Sequence, residues 1–110
     1  MDKIKALDAL AALAQETRLD VFRLLIQAEP SALAAGEIAE RLDVRQNTMS
    51  SNLAILARAG LVTSERRGRS IVYRADVDGM RGLLAYLMQD CCDGNPAICA
   101  PLADAIACAC

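Results

Sequence analysis

The chain has 110 residues, near the modal size of one domain, and its 55% hydrophobic content includes one Phe, two Tyr and no Trp, so the core must be aliphatic, as packed helices allow. The longest stretch without a charge, Gln46 to Ala57, is twelve residues and polar, which excludes a membrane span, and the absence of His and of a phosphate-binding Gly-rich loop argues against an enzyme. The net charge of −2 hides an asymmetry: from Arg41 to Arg74 seven arginines face two acids, a net of +5 that leaves −7 elsewhere, and such a segment points to an anionic partner such as a nucleic-acid backbone unless it is simply a solvated face.

The charged start "MDKIKALDAL" lacks the apolar core of a secretory signal, so a cytoplasmic protein is expected. Ile4, Leu7, Leu10, Ala11 and Ala14 recur at helical spacing and predict a first helix over Lys3 to Ala14. A second is predicted over Thr17 to Ala28, with Thr17 as N-cap and Leu19, Phe22, Leu25 and Ile26 as its apolar face. Glu29-Pro30-Ser31 breaks it. A short third helix should cover Ala35 to Leu42. After "DVR" a fourth should run from Gln46 to Ala59, with Met49, Leu53 and Leu56 inward and Gly60 ending it in a left-handed conformation.

The period then changes. Leu61–Glu65 and Ser70–Arg74 read as β-runs around Arg66-Arg67-Gly68-Arg69, a hairpin turned at Gly68. A fifth helix over Asp78 to Asp90 carries Met80, Leu83, Leu84, Leu87 and Met88 on a broad apolar stripe. A chain this short buries a limited core, so an apolar helix face shared between subunits is expected.

Two helices joined by a tight turn make a helix-turn-helix, whose second helix presents its N-terminal residues to base edges in the major groove. "RQNTMSSN" suits that role. Arg45, Gln46, Asn47, Thr48, Ser50, Ser51 and Asn52 offer donors and acceptors without one carboxylate to repel phosphate. Any single polar helix face is commonly just solvated. Here a basic hairpin follows directly, and Arg66, Arg67 and Arg69 read as a wing that reaches the DNA backbone or minor groove.

The blocks "ETRLDVFRLL" and "QNTMSSNLAILARAGLVTSERRGRSIVY" resemble those of the ArsR/SmtB family of winged-helix repressors, and the likeness covers about residues 5 to 90. It implies a mainly α winged helix-turn-helix with about five helices and a β-hairpin wing. It also implies a homodimer formed through the first and fifth helices, and binding to double-stranded operator DNA with release by an inducer. Residues 1–92 would form the DNA-binding and dimerisation domain and 93–110 a cysteine-containing tail. The chain departs from the family pattern at three places. Glu16 stands where a Pro is usual, Asn52 where the reading helix usually has His, and the third helix, "AAGEIAERL", lacks the family's cysteine metal motif.

All five cysteines fall in "DCCDGNPAICAPLADAIACAC". In a reducing compartment such thiols are reactive or metal-binding rather than structural. Cys91 and Cys92, with Cys99 across a loop, offer three sulfurs and no imidazole. That donor set suits a thiophilic, three-coordinate ion such as As(III) or Sb(III). The arsenical-responsive branch of the family includes similar C-terminal arrangements, so the resemblance implies control of an arsenic-resistance operon. No organic cofactor is expected. Asp90 and Asp93, with the helix C-terminus, should favour neutral thiols over thiolates. Arsenous acid tolerates this, because three hydroxides exchange for three thiols with release of water. A redox sensor needs the opposite shift. A thiol-oxidation-responsive repressor of the same fold and a cadmium, lead or bismuth sensor remain alternatives. Cys108 and Cys110 stay unassigned: a second soft-metal site, an alternative third ligand, or no ordered structure.

Overall fold

Apolar spacing and capping residues partition the chain into eight elements in the computed structural model, which describes residues 1–88 and Pro101. They are α1 (Lys3–Leu13), α2 (Glu16–Ala28), β1 (Leu33–Ala34), α3 (Ala35–Leu42), α4 (Gln46–Arg58), β2 (Val62–Arg67), β3 (Ser70–Ala75) and α5 (Val77–Met88). Cys91, Cys92, Cys99, Cys108 and Cys110 lie outside the described residues, as do the last two residues expected for the fifth helix.

Asp2 begins α1 by accepting the Lys5 N–H at 2.8 Å. The face that α1 turns inward is made of small residues: Ala6, Ala9 and Ala12 are buried. Its large apolar residues point the other way, with Ile4 73% exposed and Leu7 55%. The apolar spacing was therefore real, but the core takes the alanine side, where small side chains let the helix approach closely.

α2 starts one residue before the expected cap. Gln15, not Thr17, is the N-cap, and its Oε1 accepts the Arg18 N–H at 2.9 Å. Val21, Phe22 and Leu25 are buried, whereas Leu19 and Ile26 are exposed. Phe22 and Leu25 were anticipated; Leu19 and Ile26 sit on the far edge of the stripe, and Val21 takes the central position.

α3 has the expected bounds, and α4 ends within one residue of them. Met49, Leu53 and Leu56 have no exposed surface, so the helix is anchored by three side chains worth about 1.5–3 kcal/mol each. Gly60 follows α4 at φ 79°, the left-handed conformation expected of it.

The strands form an antiparallel sheet in the order β1-β3-β2. Sequence reading missed β1. Its two residues pair with β3 (Leu33 opposite Tyr73, Ala34 opposite Val72), and a two-residue strand carries no periodicity of its own. β2 and β3 make the hairpin in register from Val62–Ala75 out to Arg67–Ser70, with Gly68 at φ 63° in a two-residue turn.

α5 is set by a close approach. Asp76 donates its N–H to Leu61 O at 2.8 Å, and its Oδ1 accepts the Gly79 N–H at 3.0 Å. A Cβ on Gly79 would stand 1.9 Å from Gly60 O, so only glycine lets α5 lie against the end of α4. Leu83 is buried, while Leu84 and Leu87 are 40% and 45% exposed. The broad stripe thus has one edge inside the subunit and one edge outside.

Candidate nucleic-acid interface

The turn between α3 and α4 is three residues, Asp43-Val44-Arg45. Asp43 adopts φ 54°, and the chain closes α3 by donating Val44 N–H to Ala39 O and Asp43 N–H to Glu40 O, at 2.9 and 3.3 Å. This is the Schellman pattern, with aspartate where glycine is commoner. At the other end of α3, the Glu37 carboxylate accepts the Ala34 N–H at 3.3 Å. The two helices are thereby locked at a sharp turn, the geometry of a helix-turn-helix.

α4 divides cleanly. Met49, Asn52, Leu53 and Leu56 face the interior. Gln46, Asn47, Thr48, Ser50 and Ser51 are exposed, together with Arg45 just before the helix. Within the first turn the Asn47 Oδ1 accepts the Thr48 N–H at 2.9 Å, and Ser51 Oγ donates to Asn47 O at 3.3 Å. Gln46 leans back over α3, its Nε2 lying 3.9 Å from where a Cβ on Gly36 would stand.

Asn52 does not share this surface. The sequence reading grouped it with the base-reading side chains, but it is 8% exposed, and its Oδ1 accepts Arg18 Nη1 at 3.3 Å. The reason is helical phase: it lies three residues after Met49 and four before Leu56, on the buried stripe. Arg18 also donates Nε to Ala12 O at 2.6 Å, so one guanidinium from α2 reaches both α1 and α4. Sequence reasoning passed over Arg18 because an arginine early in an amphipathic helix looks solvated.

In the wing, strand alternation separates the arginines that looked like one tip. Arg66 and Arg67 are neighbouring strand residues and point to opposite faces of the sheet; only Gly68 and Arg69 form the turn. Arg66 Nε donates to Gly68 O at 3.3 Å, and Arg67 Nη2 lies 3.4 Å from Glu65 Oε2, an exposed pair. Arg66, Arg67 and Arg69 are all exposed.

The excess of positive charge is smaller than the sequence count suggests. Arg74 is bonded to Glu29, and its pKa is raised above the ordinary arginine value, first by that hydrogen bond and then by the carboxylate's charge. Arg67 shares Glu65. The remaining exposed cations of the segment lie on the α3–α4 unit (Arg41, Arg45, Arg58) and on the wing (Arg66, Arg69).

Among the described residues no group of three His, Cys, Asp or Glu is placed to hold a metal ion, and no helix is long and apolar enough to cross a membrane.

Comparison with known proteins agrees with this architecture. A helix-turn-helix domain family matches residues 13–65. The chain is 31% identical over 91 residues to the transcriptional activator HlyU of Vibrio cholerae, covering 83% of this chain and 82% of that protein. It is 36% identical over 78 residues to a biofilm growth-associated repressor of Agrobacterium fabrum, covering 71% of this chain and 64% of the other. Among solved structures, an ArsR-like transcriptional regulator from Rhodococcus sp. RHA1 superposes with a TM-score of 0.73 at 27% identity, over 88% and 89% of the two chains. The homodimeric winged helix-turn-helix domain of Mb0332 from Mycobacterium bovis gives 0.64 at 29% identity, over 78% and 80%. A possible transcriptional regulator for arsenical resistance gives 0.65 at 30% identity, over 73% and 80%.

Proposed function

The chain belongs to the ArsR/SmtB family of winged helix-turn-helix transcriptional regulators, and from that premise we propose that it is a homodimeric repressor released from operator DNA by As(III) or Sb(III), controlling an arsenic-resistance operon. The observation that carries the DNA-binding part is the exposed, carboxylate-free start of α4 standing beside an arginine wing. Gln46, Asn47, Thr48, Ser50 and Ser51 would read base edges, while Arg45, Arg66, Arg67 and Arg69 would neutralise phosphates.

Two protomers would join through α1 and α5. These helices pack side by side and leave Ile4, Leu7, Leu10, Leu84 and Leu87 exposed, large aliphatic side chains that a second subunit would cover. A two-fold dimer would present two α4 helices to a pseudo-palindromic site. The homodimeric relative from Mycobacterium bovis supports a two-subunit protein.

The inducer would bind Cys91 and Cys92, at the end of a domain over residues 1–92, and Cys99, in a tail over residues 93–110. Three thiols and arsenous acid would give a trithiolate and three waters, with no net proton released. Because the vicinal pair follows α5 by three residues, binding there would alter the end of a dimer helix and hence the spacing of the reading helices. A coupling of about 1–3 kcal/mol is typical of such a switch.

A second reading keeps the fold and the DNA mode but makes thiol oxidation the signal. Its support is HlyU of Vibrio cholerae, which has also been solved in a form described as reduced. Titrating the reduced protein on operator DNA separates the two. Release by arsenite or antimonite, lost in Cys91→Ser, Cys92→Ser or Cys99→Ser, is the expected result. Release by peroxide but not by arsenite overturns the arsenic reading. Release only by cadmium, lead or bismuth replaces it with a soft-metal sensor.

A further inference from the structure

We propose that Arg18 is a positioning residue for the reading helix: through Ala12 O and Asn52 Oδ1 it fixes the attitude of α4 relative to α1, so DNA recognition depends on a residue that does not touch DNA. The proposal rests on the DNA-binding reading above, and it gives Asn52 a role on the inside of the protein.

Ala12 lies in the last turn of α1, where carbonyls lack an intrahelical partner and the helix end carries partial negative charge. A guanidinium is well matched to that place. Arg18 comes from the first turn of α2 and donates Nε to this carbonyl at 2.6 Å. The same planar group donates Nη1 to Asn52 Oδ1 at 3.3 Å. No described carboxylate lies within salt-bridge distance of Arg18, so its side-chain bonds among the described residues run to a helix end and to the reading helix.

Asn52 is the one buried polar residue among those described. It sits in the middle of α4, flanked on the same face by Met49, Leu53 and Leu56. Those apolar contacts hold α4 against the core but are not directional, so sliding or rotation of the helix alters them gradually. A hydrogen bond is directional and weakens steeply when misaligned. The Arg18–Asn52 bond therefore sets the rotation of α4 about its axis, and with it the direction of Gln46, Asn47, Ser50 and Ser51. A planar fork can meet two acceptors at fixed angles, whereas a lysine ammonium is a point charge on a flexible stem. Because α1 also carries the apolar surface proposed for dimerisation, Arg18 gives that surface a direct hydrogen-bonded connection to the DNA-reading helix.

The test compares Arg18→Lys, Asn52→Leu, their double variant and Asn52→Asp for operator affinity, with circular dichroism as a check on folding. Arg18→Lys and Asn52→Leu should each lower affinity about tenfold, the scale of one hydrogen bond to a charged group, and the double variant should be no weaker than the weaker single. Asn52→Asp keeps the acceptor for Arg18, so its affinity should stay within about twofold. A side chain that met the DNA itself would behave oppositely, because a carboxylate repels phosphate. Loss of affinity in Asn52→Asp as large as in Asn52→Leu overturns the proposal, and so do additive effects in the double variant. Amide hydrogen exchange on the DNA-free protein gives a second readout. Arg18→Lys should speed exchange in the last turn of α1 and in α4 but leave the β2–β3 hairpin unchanged; uniform or absent change overturns it. If the unmodified protein binds no operator DNA, the repressor reading fails, while the exchange comparison still decides whether Arg18 holds the two helices.

Discussion

Arg74 on β3 grips Glu29 at the end of α2 with two parallel hydrogen bonds, Nε to Oε1 at 3.3 Å and Nη2 to Oε2 at 2.7 Å. The pair ties the base of the wing to the second helix and takes one arginine out of the cations that the basic segment could offer an outside partner. Arg74→Ala should therefore leave operator affinity nearly unchanged while lowering the melting temperature slightly, and the loss should shrink in high salt because the pair is partly exposed. The pH dependence follows from the sign of the shift. Arg74's pKa is raised, so its contribution is complete below the unfolded value and is lost only as pH rises through the folded one. Both lie above the range in which proteins are handled, so the difference in melting temperature between the unmodified protein and Arg74→Ala should not vary through titration of this group between about pH 6 and 9. Thermal melts across that range check it.

The wing and the reading helix should fail differently. Arg69→Ala should weaken binding to all sequences alike and reduce the salt slope of log affinity by about one for each phosphate contact removed. Ser50→Ala or Asn47→Ala should cost about 1–3 kcal/mol on the preferred operator and relax discrimination at one base position. Fluorescence-anisotropy titrations at several salt concentrations, on matched and mismatched duplexes, distinguish the two patterns.

Two glycines of α5 make a paired prediction. At Gly79 a Cβ would collide with Gly60 O at 1.9 Å, and backbone cannot step aside cheaply, so Gly79→Ala should destabilise by about 1–3 kcal/mol. At Gly82 the nearest atoms to a Cβ are the Met1 side chain at 3.7 and 3.8 Å, an ordinary contact. Gly82→Ala should stabilise by up to about 1 kcal/mol through helix propensity. Urea denaturation of both variants at one protein concentration tests the contrast.

The outward faces of α1 and α5 should decide the oligomeric state. Ile4, Leu7 and Leu87 are more exposed than their chemistry favours. Leu7→Glu combined with Leu87→Glu should give a folded monomer by sedimentation, with operator affinity reduced far more than by Arg69→Ala. A dimer that persists unchanged would place the subunit contact elsewhere.

Much of this molecule was legible in its residues because the signals were local. Met49, Leu53 and Leu56 mark the buried side of α4 by spacing alone, and Gly60 and Gly68 mark positive φ where the chain must turn. The exposed polar start of α4 followed from the same phase. Periodicity could not say which side of α1 the core would take. Ile4, Leu7 and Leu10 form the stronger apolar stripe, yet Ala6, Ala9 and Ala12 are buried where α1 packs against α2, α4 and α5, and small side chains let those helices approach closely.

The sequence by itself determined the order of the helices, the hairpin, the absence of carboxylates from α4 and the clustering of all cysteines at one end. These depend on residue type and short spacing, which the linear chain carries in full. Only the tertiary structure decided that Asn52 turns inward to Arg18, that Arg74 serves Glu29 rather than an outside partner, that Arg66 and Arg67 face opposite ways, and that β1 joins the sheet. Arg18 and Asn52 are 34 positions apart, and Glu29 and Arg74 are 45. Bonds across such separations are fixed by how elements pack, and no window of sequence spans them.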